Sequence, residues 1–420
     1  MQLGAACFAI ALFIGAVSPR AEASVWAITS EWDIAKEDKF GSWLAGVTNQ
    51  PANSEGKTQS ILFEPGQPLN GIPVDCADFV YATRIIFAAE NGLPFASKVS
   101  YRGKILDASK SSWDSIPKEK RLKSFLRDVL AATGTWSLLR DTVPISQIDR
   151  EHVKAGTVLL AAQSVGHSWM IRHVRPTGIP ELVFASVPGL QELFYRDGLP
   201  RGEAVFDKLP AGSSEAGFRS FCIEGKSCPS RAISPALSWK RHQEWRPLIL
   251  RTLQIRPEPL IESIGREIRN ICREAKSRAS LAREAVELKK QRGACLRGSD
   301  DYNFSTNNRD ARLREGFLDL WELWMTTTDV MDEARITGKN LPKILNTTLD
   351  RISQIFSDHL IDADEEIVCS VNVDSEKSLS LRDIRQLAIA GRLSPDPNES
   401  VRARWGLEPE DGVCFHTIHK

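Results

Sequence analysis

The cysteine count constrains this chain more than any other feature. Its 420 residues include eight cysteines, and Cys7 lies in an apolar N-terminal run, which leaves seven. An odd number cannot pair completely, so one thiol should stay free in an oxidising compartment. We assign the free thiol to Cys76, in the segment PVDCADF at 73–79. The alternative is a buried, inert thiol at Cys76, because free cysteine often behaves as a small apolar residue.

The N-terminal run predicts export. Residues 1–17 are mostly apolar, too few to span a bilayer comfortably, and Ala21 and Ala23 form a small-x-small cleavage pattern. We therefore predict a signal peptide at 1–23 and a periplasmic or secreted mature protein that has no transmembrane segment.

Charge and motifs exclude several classes. The 54 basic residues balance the 54 acidic ones, which argues against nucleic acid or an anionic membrane as the main partner. The sequence lacks a phosphate-binding Gly-rich loop and a His-Glu-x-x-His motif. We expect neither a metal nor an organic cofactor.

Two domains are expected from the length, with a boundary at Pro257 and Pro259. The first domain, 24–256, predicts helices at 75–91 and 121–132. It also predicts strands at 157–161, 167–174 and 181–186, the last two forming an antiparallel hairpin. Helices followed by a sheet indicate an α+β fold.

The second domain, 257–420, has a helical pattern. Apolar residues at three- and four-residue spacing predict long amphipathic helices from Leu260 and from Leu313, and a third after Pro342. Ser380 caps a shorter helix that ends at Gly391. An all-α antiparallel bundle is the simplest packing.

Cys222 and Cys228 enclose a short loop that contains Gly225. We predict that they form a local disulfide. Their spacing differs from the Cys-x-x-Cys pattern of redox and zinc sites.

Four cysteines remain in the helical domain. An unbroken helix would hold Cys272 and Cys295 roughly 34 Å apart, at about 1.5 Å per residue. An up-down-up bundle then predicts the pairs Cys295–Cys369 and Cys272–Cys414. A helix break near Ser277 would instead restore a Cys272–Cys295 pair.

Cys76 opens a predicted helix, where unpaired amides and the helix dipole lower a thiol pKa. Asp75 and Asp78 oppose the thiolate by like charge, and we expect them to cap the helix or face solvent. These amides also suit an oxyanion hole, with the Cys76 N–H as one donor and the side-chain amide of Asn70 as a second. The base would be a histidine. We select His167 because it starts a strand and leads the alternation with Trp169 and Ile171. An exposed strand-start histidine is the alternative.

A third polar group usually orients the imidazole. If the hairpin closes around its turn, His167 lies opposite about Ser186, so Ser186 is the first candidate. Glu181 and Gln191 are the alternatives.

Three segments resemble NlpC/P60-type hydrolases of the papain-like group: DCADF at 75–79, AGTVLL at 155–160 and GHSWMI at 166–171. The resemblance spans about residues 70–186. It implies a papain-like fold with an antiparallel sheet, a nucleophile at Cys76 and a base at His167. It also implies cleavage of peptide amides, commonly in bacterial peptidoglycan.

Three functions follow. The first is an exported cysteine hydrolase that cuts an amide in peptidoglycan stem peptides through a thioester. The second is a transglutaminase-like acyl transferase, in which an amine replaces water. The third is a non-catalytic envelope protein that binds glycan, peptide or a protein partner, with the helical domain docking that partner.

Overall fold

The computed structural model describes residues 25–49, 60–145, 147–161, 167–185, 191–200, 217–221, 242–338, 343–356, 369–409 and 414. Three predictions fall outside the described residues: the signal peptide at 1–23, the third catalytic residue at Ser186 and the Cys222–Cys228 disulfide. In the part that is described, no helix combines enough length with enough apolarity to cross a bilayer.

Helices come first in the described chain. They are α1 (Ile34–Val47), α2 (Cys76–Glu90), α3 (Lys118–Ala132) and α4 (Thr135–Asp141). The two predicted helices are confirmed as α2 and α3. Helix α2 is the central one, because its apolar residues Phe79, Val80, Ile85 and Ile86 are fully buried.

The strands form one large sheet and a small hairpin in this half. The hairpin pairs β1 (Ala96–Tyr101) with β2 (Lys104–Asp107). The large sheet contains β3 (Thr142–Pro144), β4 (Val158–Ala161), β5 (His167–Val174), β6 (Pro180–Phe184), β7 (Phe194–Asp197) and β8 (Gly217–Phe221). Its order is β3-β8-β4-β5-β6-β7, with antiparallel neighbours. The predicted β5–β6 hairpin and a mixed α+β class with antiparallel sheets are confirmed.

The two faces of the large sheet bury different residues, because successive side chains of a strand point to opposite faces. One face packs on α2, where the Thr83 hydroxyl donates to the Met170 sulfur at 3.3 Å. The other face buries Trp169 and Ile171 against Ile249, in a separate apolar cluster. The β5 sequence therefore contributes alternately to two cores.

The second half is mainly helical. Its elements are α5 (His242–Leu253), α6 (Leu260–Arg292), α7 (Ser299–Phe304), α8 (Asn307–Thr337), α9 (Lys343–Phe356), α10 (Leu381–Ile389) and α11 (Val401–Arg404). Helices α6 and α8 lie so close that a Cβ on Gly316 would stand 2.8 Å from Ile271 Cγ1. The predicted cap is confirmed, since Ser380 Oγ accepts from Asp383 N at 3.2 Å.

The prediction of an all-α second domain is wrong. Strands β9 (Ser370–Asn372) and β10 (Ser378–Ser380) form an antiparallel hairpin within it. The Asp374 carboxylate accepts from two amides of the connecting turn, at 2.8 Å each. Val371 and Leu379 are buried in the helical core, so the hairpin covers part of α6. Strands this short leave a weak alternation in the sequence.

The predicted disulfide pairing is also wrong. The structure pairs Cys272 with Cys369 and Cys295 with Cys414. Helix α6 is unbroken, which excludes the Cys272–Cys295 alternative. The pairing follows from the chain's path, because the C-terminal segment runs past the end of α6. There Asn398 accepts from Leu296 N at 2.7 Å and donates to its carbonyl at 3.2 Å.

Polar contacts join the helices to the edge of the sheet. Asn270 on α6 accepts from Asp197 N at 3.0 Å and donates to Asp197 O at 2.8 Å, as a neighbouring strand would. Asp319 on α8 pairs with Arg246 at 2.8 Å and with Arg196 at 3.7 Å. These buried contacts hold α6 and α8 against the β7 edge.

Candidate functional site

The start of α2 is a reciprocal cap. The Asp75 carboxylate accepts from Ala77 N and Asp78 N, at 2.9 Å each, and Asp78 Oδ2 accepts from Asp75 N at 3.1 Å. These first-turn amides were expected to stabilise negative charge. Two of them are already used by Asp75, so they are not available to a thiolate or an oxyanion.

Cys76 is the free cysteine among the described residues, and it is half-buried. Burial, and next the charge of Asp75, raise the pKa of its thiol from 9.0 to about 12. Ser168 and Thr135 oppose this rise, although the Ser168 hydroxyl lies without a partner of ordinary hydrogen-bond geometry. At pH 7 such a thiol is ionised in about one molecule in 10⁵. The expected lowering of the Cys76 pKa is therefore wrong.

Neighbouring acidic groups also have raised pKa values. Burial, and then repulsion from Asp75, raise the pKa of Asp78 to about 8. Burial raises the pKa of Tyr302 on α7, and Cys76 and Asp75 raise it further by their charge. The surroundings of the thiol thus disfavour additional negative charge.

His167 lies on the other face of the sheet. Its ring contacts Trp169 and Phe184, with ring centroids at 4.3 and 5.1 Å. Burial, followed by the charges of Arg312 and Arg309, lowers the pKa of His167 to about 3. Its Nε2 is buried without a hydrogen-bond partner. These contacts place the ring in the apolar cluster that buries Trp169 and Ile171, on the face of the sheet opposite α2.

The predicted Cys76–His167 dyad is therefore not formed. The residue of β5 that faces Cys76 is Ser168, one position along the strand. Ser168 opposes Leu160, which belongs to the α2 face together with Met170. The prediction that His167, Trp169 and Ile171 share one face is right, but that face points away from α2.

The remaining predicted site residues make other contacts. The Asn70 side-chain amide donates to Phe63 O at 2.8 Å and holds its own loop, so it is engaged elsewhere than in an oxyanion hole. Glu181 pairs with Arg172 and Arg175, and Gln191 donates to Leu69 O. None of these three partners is a histidine. No group of His, Cys, Asp and Glu in the described ranges is arranged to hold a metal ion.

A cavity of about 610 Å³ lies at a different place, between α1, the β3–β8 edge and the loop before β4. Its apolar lining residues are Ile34, Phe40, Pro144, Ile145 and Phe221. Its ionisable lining residues are Glu37, Asp38, Arg84, Glu151, His152 and Lys154. Apolar walls with a few polar groups are typical of ligand sites.

Arg84 on α2 forms the buried part of this cavity. Its guanidinium carbon lies 3.2 Å from the Trp32 ring centroid. The guanidinium also donates two hydrogen bonds to the Glu37 carboxylate, one of them 2.7 Å long. Arg84 lies eight positions after Cys76 on α2, which corresponds to a rise of about 12 Å along the helix axis. The cavity and the thiol are thus separate places on α2.

This cavity was not predicted from the sequence. One signal was present: Arg84 is a charged residue within an otherwise apolar stretch of α2, at a position that is 2 % exposed. A buried arginine needs an acidic partner, but Asp78 and Asp38 lie nearer upstream than Glu37, so the sequence did not single out the partner. No sequence pattern indicated that α1 lies against the loop at 151–157.

Comparison with known proteins gives no relative. Neither a protein-family model, nor a curated protein, nor a solved structure matches this chain. The function of this protein is therefore inferred from its own residues.

Proposed function

We propose that this protein is an exported, non-catalytic protein that binds a peptide. The observation that carries the proposal is the separation of Cys76 from His167 by the sheet. Hydrolysis by a thiol needs a base within hydrogen-bond reach of the sulfur. The groups that set the Cys76 pKa are Asp75, Ser168 and Thr135, none of which is an imidazole.

Export is supported by the two disulfides in the described residues, Cys272–Cys369 and Cys295–Cys414. Disulfides form and persist in oxidising compartments. Binding is supported by the cavity beside α1, whose walls are formed by α1, the β3–β8 edge and the loop before β4. The peptidoglycan hydrolase inferred from the resemblance to NlpC/P60 proteins stays a prediction.

Thiol labelling tests the proposal. The folded protein is treated with N-ethylmaleimide at pH 7.5, and the peptide that carries Cys76 is quantified against the urea-unfolded chain. The rise of the Cys76 pKa to about 12 lowers the thiolate fraction, and the greater nucleophilicity of the remaining thiolate only partly compensates. We expect labelling about 30-fold slower in the folded protein.

A second measurement uses peptidoglycan directly. Purified peptidoglycan is incubated with the wild-type protein and with Cys76→Ala, and new amines are measured by mass spectrometry. We expect neither protein to release amines. Release by the wild type that is lost in Cys76→Ala, together with rapid labelling, would establish the hydrolase and reject the binding proposal.

A further inference from the structure

The cavity beside α1 is lined by apolar and by charged side chains. Phe40, Ile145 and Phe221 are among the apolar lining residues. Its volume of about 610 Å³ is within the usual range of ligand pockets, roughly 300–1,000 Å³. A single apolar side chain with a short length of peptide backbone fits this space.

The charges of the side chains that line the cavity do not cancel. Glu37 is neutralised by Arg84, and Asp38 by Lys154. Glu151 lines the same cavity and is exposed, and it has no ionic partner among the described residues. The cavity mouth therefore carries a surplus negative charge, which favours an ammonium group and disfavours a carboxylate.

The walls are held in place before any ligand arrives. A Cβ on Gly41 would clash with the Ala155 carbonyl, so α1 and the loop touch through backbone. Gly156 has a φ of +89°, and its N–H donates to Ile171 O at 2.9 Å. A preformed site costs less ordering on binding.

We infer that this cavity binds the amino-terminal end of a peptide whose first side chain is apolar. The side chain contacts Phe40, Ile145 and Phe221, and the terminal ammonium pairs with Glu151. The inference rests on the proposed binding function and names its site and its ligand class.

Calorimetric titration with two probes tests the inference. The first probe is phenylalanyl-alanyl-glycinamide, which has a free ammonium and no carboxylate; the second is its N-acetylated form. We expect the first to bind with a dissociation constant below about 1 mM. We expect the acetylated form to bind about two- to fivefold more weakly, as the loss of one exposed ion pair predicts.

Variants locate the site. Glu151→Gln should weaken binding of the free-amine probe about two- to fivefold, whereas Glu119→Gln on α3, an equal loss of exposed charge away from the cavity, should leave it unchanged. Ser220→Phe places a ring in the cavity and should abolish binding. Circular dichroism and the melting temperature show whether Ser220→Phe is folded. If Ser220→Phe does not fold, Glu151→Gln alone tests the location of the site.

The outcomes separate this inference from the proposed function. Equal binding of both probes, or unchanged binding in Glu151→Gln, overturns the assignment of the ammonium. No binding by the wild-type protein at 1 mM, with Cys76 slow to label, overturns the ligand class while the absence of catalysis stands. Rapid labelling with amine release from peptidoglycan rejects the proposed function itself.

Discussion

The two faces of the large sheet bury their polar groups in different ways. On the α2 face, Cys76 and Ser168 are small, uncharged groups within an apolar core. On the opposite face, His167 lies near Arg309 and Arg312 of α8. Arg309 Nε donates to a serine hydroxyl at 2.9 Å, and Arg312 Nε to a glutamate at 2.8 Å.

This difference arises within two consecutive residues of β5. A step from His167 to Ser168 moves the side chain from a site near two arginines to one beside Cys76, where burial and the charge of Asp75 raise the thiol pKa. Both environments oppose ionisation: the thiol stays protonated and the imidazole stays neutral. Proximity in sequence along a strand therefore says little about whether two groups share an environment.

The largest expected effect tests whether both faces are equally well packed. Met170 and Ile171 are adjacent and fully buried, one on each face. Met170→Ala and Ile171→Ala should each lower the free energy of unfolding by about 3 kcal/mol, because each leaves a cavity in a core. Urea denaturation measures both. A cost well under about 1 kcal/mol for either variant would show that its face is loosely packed.

The next prediction concerns the pH dependence of the second face. The pKa of His167 is about 3 in the folded protein and 6.5 when unperturbed, so the unfolded chain takes up the proton first as pH falls. The contribution to stability is complete above pH 6.5 and is lost between pH 6.5 and 3. At pH 5 the loss from this residue is at most about 2 kcal/mol.

His167→Phe removes this titration. Relative to the wild type, the variant should lose less unfolding free energy between pH 7 and pH 5, measured by urea denaturation at each pH. Replacement of His173, an exposed residue of the same strand, by phenylalanine is the matched control and should keep the wild-type slope. Parallel curves for His167→Phe and the wild type would refute the buried, neutral imidazole.

The smallest effect sharpens the assignment of the two faces. Ser168→His would place an imidazole beside Cys76 and should speed maleimide labelling of the thiol about tenfold. His167→Ala should leave labelling unchanged, because that ring lies across the sheet. Slower labelling in His167→Ala would contradict the structure. Since Ser168 is fully buried, circular dichroism must confirm that Ser168→His is folded.

Local signals in the sequence were sufficient for several elements. Asp75 caps α2, β5 has its predicted bounds, and Ser380 caps α10, because caps and alternation depend on neighbouring residues. The face that His167 takes depends on the packing of β5 against α2, which alternation leaves open. The pairing of Cys272 with Cys369 depends on the path of the chain between them.

The candidate site was less predictable than the fold. The Cys76 pKa is raised because burial, and next the charge of Asp75, outweigh the helix start, two of whose amides bind the Asp75 carboxylate. The sequence indicated Asp75 as a cap and an opposing charge, but it did not indicate how deeply the thiol is buried. The cavity brings residues of α1, the 151–157 loop and β8 together, and no short sequence segment contains them.

The contact between Asn270 and Asp197 has a consequence for self-association. An edge strand with free backbone groups is a template on which another chain can add a strand. The Asn270 side chain occupies both backbone groups of Asp197, so β7 has no vacant pairing position at that residue. At the opposite border, β3 ends in Pro144, which has no N–H to offer an incoming strand. Both edge strands thus have a residue that disfavours the addition of a strand from another chain.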